Sequence, residues 1–308
     1  MRTLIVGAGA TGGYIGAKLI AAQRDITLLV HEATQHRLRQ HGIQIRTADG
    51  PTTSTAVRTL TQPALRDPYD VIIVAVRVAA VASAIDDISA AVGDTTTIVP
   101  VVNGMAHLDA LLTRYGAAHV AGGAATLAAS MLVGGVIEEV RPGATLQIGP
   151  LDGSRTQTLA AVAHELNVDG LQTTVNDDII STMWSKFAFI TSTATLTCLL
   201  RDVIGPIAQT PGGDSVAQAI LAEVSDIAAA EGHPLATPDR TQLHDMLTDT
   251  ASRFGPSMYR DLVNERPIEA DVLTDLSDRA RRHALHTPLL DAALVAITLH
   301  NQGLTTRP

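Results

Sequence analysis

The sequence predicts an α/β N-terminal domain built on a parallel sheet, followed by an all-helical C-terminal domain. Three observations predict it. The chain opens on a short apolar strand, residues 2–6, that runs straight into glycines spaced G-x-G-x-x-G at Gly7, Gly9 and Gly12. Further apolar runs at 26–30, 70–76 and 96–102 alternate with helical stretches, and unbroken runs of this kind suit strands covered on both faces. From residue 177 the pattern is almost entirely helical, broken at Gly205-Pro206, Pro211-Gly212-Gly213, Gly232-His233-Pro234 and Gly255-Pro256. The boundary therefore falls near residue 176, and 308 residues are comfortable for the two domains 1–176 and 177–308.

The opening stretch carries the first functional signal. A strand that stops in a glycine turn and restarts as a helix, here at Gly13–Ala22, brings backbone close to a pyrophosphate. Gly7 permits the turn, Gly9 leaves room for phosphates, and Gly12 lets the helix pack on the strand. The N–H groups of Ala8, Ala10 and Thr11 stand at the positive end of the helix dipole. The strand at 26–30 completes a βαβ unit of about 30 residues, the length of a Rossmann-type dinucleotide-binding unit. The residues after that strand choose the dinucleotide. An acidic residue suits the 2′-OH of NAD, and a basic one the 2′-phosphate of NADP. His31-Glu32 divides the signal, with Arg37 and Arg39 following a turn or two later.

Short alternating stretches follow at 43–47 and 53–59, and the segment from Pro63 to Pro68 reads as a turn. Arg77 closes the strand at 70–76, and Asn103-Gly104 closes the one at 96–102. Ligands of open α/β sheets bind outside the carboxyl ends of the strands, so the glycine turn, His31, Arg77 and Asn103 point to one crevice. Residues 117–149 read as strands, with Pro142-Gly143 as a hairpin turn, and 155–167 as a helix.

Composition excludes several classes. Net charge is −9, which argues against nucleic acid, and no apolar run approaches the roughly 20 residues of a membrane span. Cys198 is the single cysteine, so neither a disulfide nor a thiolate metal cluster is expected, and a core position is the simplest reading for it. No metal site is expected. With Met1-Arg2-Thr3 leading directly into a strand, a cytoplasmic protein is the simplest expectation. Two lysines, Lys18 and Lys186, stand against twenty arginines. Lys18 reads as solvated. Lys186 sits among Met183, Trp184, Phe187 and Phe189, a poor environment for a charged amine. Burial there would draw its pKa toward neutrality, which suits a general acid.

A nucleotide-type domain followed by a helical one resembles the ketopantoate reductase family over essentially the whole chain. The resemblance rests on Gly7-Ala-Gly-Ala-Thr-Gly-Gly13, Asn103-Gly104-Met105, Trp184-Ser-Lys186 and Ser257-Met-Tyr-Arg-Asp261 through Arg266-Pro267-Ile-Glu269-Ala-Asp271. It implies an NADPH-dependent reductase of a 2-keto acid. It implies Lys186 as general acid, Glu269 positioning it or the substrate, Ser257 on the substrate carboxylate, and Asn103 beside nicotinamide and substrate. The family's preference for NADPH tips the divided His31-Glu32 signal toward NADP(H). Pro267 would end one helix and start another, letting Ser257 and Glu269 share a site, with Ser257 as an N-cap. Glu269 would also oppose burial and keep the amine of Lys186 charged.

The sequence also departs from that family. Its substrate-holding asparagines, four and eight residues past the lysine, are Ile190 and Ala194 here. Lys186, Ile190, Thr193 and Thr197 share one helical face, on which Thr193 would restore one hydrogen bond. Arg77 replaces the family's frequent lysine, and His31 its usual arginine. A site that loses paired donors for a hydroxyl favours a substrate lacking that hydroxyl. The expected substrate is therefore a small 2-keto acid, or related carbonyl compound, more apolar than ketopantoate. The alternatives are a non-catalytic NADP(H)-binding redox sensor and a paralogue oxidising or reducing another carbonyl substrate. A homodimer is the general expectation for such an enzyme.

Overall fold

The computed structural model describes residues 1–47, 50–152 and 156–306. It divides the chain into two compact units, Met1–Val102 with Ala106–Ile180, and Asn103–Met105 with Ser181–Pro308. The division falls a little beyond residue 176, within the first turn of a long helix.

The first unit contains β1 (Arg2–Val6), α1 (Ala10–Ala21), β2 (Asp25–Leu29), α2 (Glu32–His41), β3 (Ile43–Thr47), β4 (Thr52–Thr55), β5 (Arg58–Leu60), β6 (Val71–Val74), α3 (Val81–Asp87), β7 (Thr97–Pro100), α4 (Ala106–Tyr115), β8 (Gly122–Met131), β9 (Ile137–Gly149), α5 (Thr156–Leu166) and β10 (Leu171–Val175). Five of the strands form a parallel sheet in the order β5-β2-β1-β6-β7. Val6 lies opposite both Leu29 and Val74, and Val74 opposite Pro100, so four strands end in one row. Leu4, Ile5, Leu28, Ile72 and Ile73 are fully buried, as expected of strands covered on both faces.

A second sheet runs β10-β9-β3-β4, with β8 antiparallel to β9. The turn between β8 and β9 is made by Gly134 and Gly135, both at positive φ, +84° and +81°. Pro142-Gly143, expected as that turn, instead forms a bulge inside β9: Ala128 pairs with Arg141 and Leu127 with Ala144. A paired glycine at φ > 0 matches the tight hairpin geometry that a proline does not supply. The bulge also frees the Gly143 N–H to donate to the Tyr14 hydroxyl at 3.2 Å. That hydroxyl donates to Glu139 Oε1 at 2.5 Å. Lys18 belongs to the same cluster and is not simply solvated. Its Nζ lies 3.6 Å from Glu139 Oε1 and 4.9 Å from the centre of the Tyr14 ring.

The second unit holds α6 (Ile179–Leu200), α7 (Ile204–Gln209), α8 (Gly213–Ala230), α9 (Thr237–Leu247), α10 (Ser257–Val263), α11 (Asp271–Arg282) and α12 (Pro288–Thr306). Helix α7 spans Gly205-Pro206, expected as a breaker, because a proline within the first turn interrupts no intrahelical bond. Trp184, Phe187, Ala194 and Leu196, on different faces of α6, are all buried. Two of the buried threonines donate back to the helix, Thr191 to Phe187 O and Thr197 to Thr193 O, whereas the Thr195 hydroxyl has no partner. Cys198 is a core residue there, and burial pushes its thiol up to about 12. Among the described residues no helix is long and apolar enough to cross a membrane, and no His/Cys/Asp/Glu group could hold a metal ion.

Candidate active site

In the first unit the strand ends open a cavity of about 350 Å³. Gly7, Ala8 and Gly9 form one wall, and His31, Thr34 and Arg37 another. Helix α1 begins at Ala10, earlier than the periodicity suggests, so Gly12 and Gly13 lie in its first turn. The first intrahelical bond runs from Gly13 N–H to Gly9 O, at 2.8 Å. The N–H groups of Ala10, Thr11 and Gly12 precede it and are available to an anion.

The three motif glycines are required for different reasons. Gly7 has φ +96°, and a Cβ on it would lie 2.6 Å from Ala75 O. At Gly12 a Cβ would lie 2.3 Å from Gly7 O. Both are demanded by the protein's own packing. Gly9 is different: beyond its own chain neighbours nothing lies within 4 Å of where its Cβ would stand, and its φ is −71°. Glycine there serves close approach by something other than the protein. The cradle thus fits a dinucleotide pyrophosphate, with the glycine turn and the first turn of α1 as its holders.

His31 stands immediately before α2, exposed and bordering the cavity, with no side-chain capping bond. Glu32 is exposed and does not border it, whereas Arg37, one turn further on, does. Arg37 Nη1 donates to Gly135 O at 2.9 Å, which ties α2 to the β8–β9 turn. Arg77 is exposed, while its neighbours Val76 and Ala80 border the cavity. Arg37 was visible in the sequence as a nearby cation. Its place on the wall depends on the hairpin turn, which sequence reasoning set at the wrong glycine.

In the second unit the sequence-predicted residues lie on three segments. Lys186, Ile190 and Thr193 belong to α6. Lys186 is half-buried, and burial lowers its ammonium from 10.5 to about 8. Trp184 and Phe187 flank it, their rings 5.6 Å apart, and Trp184 stacks on His233 at 5.5 Å. Ile190 is half-buried. Thr193 is fully buried, and its hydroxyl donates to Phe189 O at 2.8 Å, so its proton is engaged by its own helix.

Ser257 is not an N-cap. Pro256 precedes the helix, accepting the Arg260 N–H through its carbonyl, and Ser257 is the exposed first residue of the seven-residue α10. Glu269 is half-buried in the connection between α10 and α11, after a turn in which Glu265 takes φ +51°. Asn103 belongs to this unit as well. A Cβ at Gly104 would lie 4.0 Å from Phe187 Cε2 and 3.0 Å from Asp275 Oδ2. The turn therefore rests against the residue that follows Lys186.

Comparison with known proteins follows the same division of the chain. "Uncharacterized oxidoreductase YkpB" of Bacillus subtilis (strain 168) is 26% identical, over 97% of this chain and 99% of that one. A 2-dehydropantoate 2-reductase of Mesorhizobium japonicum is also 26% identical, over 96% and 97%. Among solved structures, D-mandelate dehydrogenase with NADH and anilino(oxo)acetate superimposes with a TM-score of 0.88 at 21% identity, covering 99% of this chain and 100% of that one. A PanE/ApbA family ketopantoate reductase from Ralstonia eutropha JMP134 gives 0.85 at 20%, with the same coverage. The family models described as "Ketopantoate reductase PanE/ApbA" and "Ketopantoate reductase PanE/ApbA C terminal" match residues 3–153 and 178–301, and the chain belongs to the ketopantoate reductase family.

Proposed function

We propose that this protein is an NADPH-dependent reductase of a 2-keto acid whose side chain is more apolar than that of ketopantoate, with Lys186 as general acid. The family consists of oxidoreductases acting on CH–OH/C=O groups with a nicotinamide dinucleotide. The single observation that carries the finer reading is Lys186, a half-buried lysine whose ammonium burial lowers to about 8. An acid of that strength is protonated at neutral pH yet gives up its proton far more readily than an ordinary lysine. The glycine turn, α1, His31 and Arg37 would hold the dinucleotide, which when bound supplies hydride to the carbonyl carbon. Lys186 donates its proton to the carbonyl oxygen as charge develops there, and the product is a 2-hydroxy acid. Asn103 orients the reacting groups, Ser257 meets the substrate carboxylate, and Glu269 positions the lysine or the substrate. Lys186 regains its proton from solvent.

Two observations support the cofactor and substrate class. His31 and the guanidinium of Arg37 border the cavity and Glu32 does not, which favours a 2′-phosphate over a 2′-OH. Ile190 stands where the family's first substrate asparagine would be, and the back-bonded Thr193 presents no free proton, so both are read as apolar wall. The test is NADPH and NADH oxidation by the wild type and Lys186→Ala over a panel of 2-keto acids. Turnover led by apolar 2-keto acids with NADPH, and lost in Lys186→Ala, is expected. Ketopantoate preferred by a wide margin defeats the substrate reading. Unchanged turnover in Lys186→Ala defeats the mechanism. Dinucleotide binding with no turnover on any carbonyl identifies a redox sensor instead.

A further inference from the structure

We infer that Asp275 is a positioning residue for this reaction, its carboxylate holding the Asn103–Met105 turn in place beside the Lys186 segment of α6. The inference rests on the reading above, in which Asn103 meets the nicotinamide and the substrate. Asp275 Oδ2 accepts the Met105 backbone N–H at 2.7 Å, across 170 residues of sequence. Its Oδ1 accepts Arg279 Nε at 2.8 Å, and both side chains are only 7% exposed. Gly104 makes the approach possible: it takes φ +83°, and a side chain there would crowd Asp275 Oδ2.

Arg279 is itself fixed. It pairs with Glu231, and its guanidinium carbon lies 5.4 Å from the centre of the Trp184 ring. Trp184 contacts Phe187, against which the Gly104 turn rests. The contacts thus close a ring from the turn through Asp275, Arg279, Trp184 and Phe187 back to the turn, and Lys186 lies between Trp184 and Phe187 in the sequence of α6. A charge-assisted bond to a backbone N–H is short and directional, and its loss leaves that N–H without its acceptor. Hydride and proton transfer tolerate little misplacement; an error of about 1 Å costs on the order of a hundredfold in rate. Each Asp275 oxygen holds a fixed protein donor, so the residue is argued to act through the turn.

The test uses the full-length protein with Asp275→Ala and Asp275→Asn. Readouts are kcat and KM on the best 2-keto acid of the panel, the dinucleotide Kd by calorimetry, and hydrogen exchange of the Met105 amide. Asp275→Ala should lower kcat about a hundredfold with Kd within about twofold, and should speed Met105 exchange at least about tenfold. Asp275→Asn, which keeps one acceptor oxygen, should lose only about tenfold in kcat; if the alanine variant does not fold, this variant carries the test. A folded variant with kcat within about twofold of wild type, or a loss confined to KM or Kd, overturns the inference, as does unchanged Met105 exchange. Lys186→Ala measured alongside separates the two claims: if it retains turnover the functional reading fails, and Met105 exchange alone then decides for or against Asp275.

Discussion

Replacing Lys186 with methionine should make the protein more stable at neutral pH while abolishing its turnover. The lysine ammonium titrates near 10.5 in the unfolded chain and at about 8 in the fold, because burial penalises the charge. Below pH 8 both states are protonated and the native state carries the whole cost of that charge. Between pH 8 and 10.5 the native state has released its proton and the unfolded chain has not, so wild-type stability rises with pH across this window. A shift of this size corresponds to at most about 3.5 kcal/mol, at about 1.4 kcal/mol per pKa unit. Methionine keeps the length and apolar stem of lysine without the charge. Urea denaturation of both proteins at pH 7, 8, 9 and 10 measures the difference. Lys186→Met should be more stable by about 1 to 3 kcal/mol at pH 7, the gap narrowing steadily as pH rises. A variant no more stable than wild type at pH 7, or a gap independent of pH, would show that Lys186 is not held at a cost and would remove the physical basis for its role as acid.

The remaining predictions concern the cofactor, the substrate and the pH profile. Gly9→Ala should fold normally, since beyond its own chain neighbours nothing lies within 4 Å of the added methyl, yet weaken dinucleotide binding at least about tenfold; a titration showing unchanged affinity would mean that the ligand does not approach Gly9. Arg37→Ala should raise the KM for NADPH about tenfold or more while leaving NADH within about threefold, and an equal loss for both would take the 2′-phosphate away from this residue. Ile190→Asn should shift kcat/KM toward ketopantoate relative to apolar 2-keto acids. For reduction, kcat/KM should be flat near neutrality and fall above about pH 8 as Lys186 loses its proton; a profile level to pH 10 would contradict the assignment.

Much of the architecture was legible because it follows from short-range rules. The apolar runs at residues 26–30, 70–76 and 96–102 became the buried strands β2, β6 and β7, and the glycine spacing marked the turn whose Gly7 and Gly12 the packing demands. The errors share a cause: one local signal served two geometries. Pro142-Gly143 has turn chemistry but forms a bulge, since Gly134-Gly135 already supplies the positive φ pair that closes the hairpin. Ser257 has cap chemistry, but Pro256 takes the cap position one residue earlier. Lys18 sits on a helix face that a sequence reads as solvent, while a glutamate 121 residues away in sequence pairs with it. The poor environment of Lys186 was legible because its neighbours on the helix are aromatic. Asp275 was not, since its partner is a backbone N–H that leaves no mark in the pattern of side chains.

The most direct test of the account is one kinetic comparison: kcat/KM for NADPH oxidation on ketopantoate and on a series of 2-keto acids with alkyl and aryl side chains, for wild type and Lys186→Ala. The account predicts that apolar 2-keto acids exceed ketopantoate at least about tenfold, as loss of one hydroxyl-binding contact implies, and that Lys186→Ala abolishes turnover on all of them. Ketopantoate as the preferred substrate, or undiminished turnover without the lysine, would contradict it.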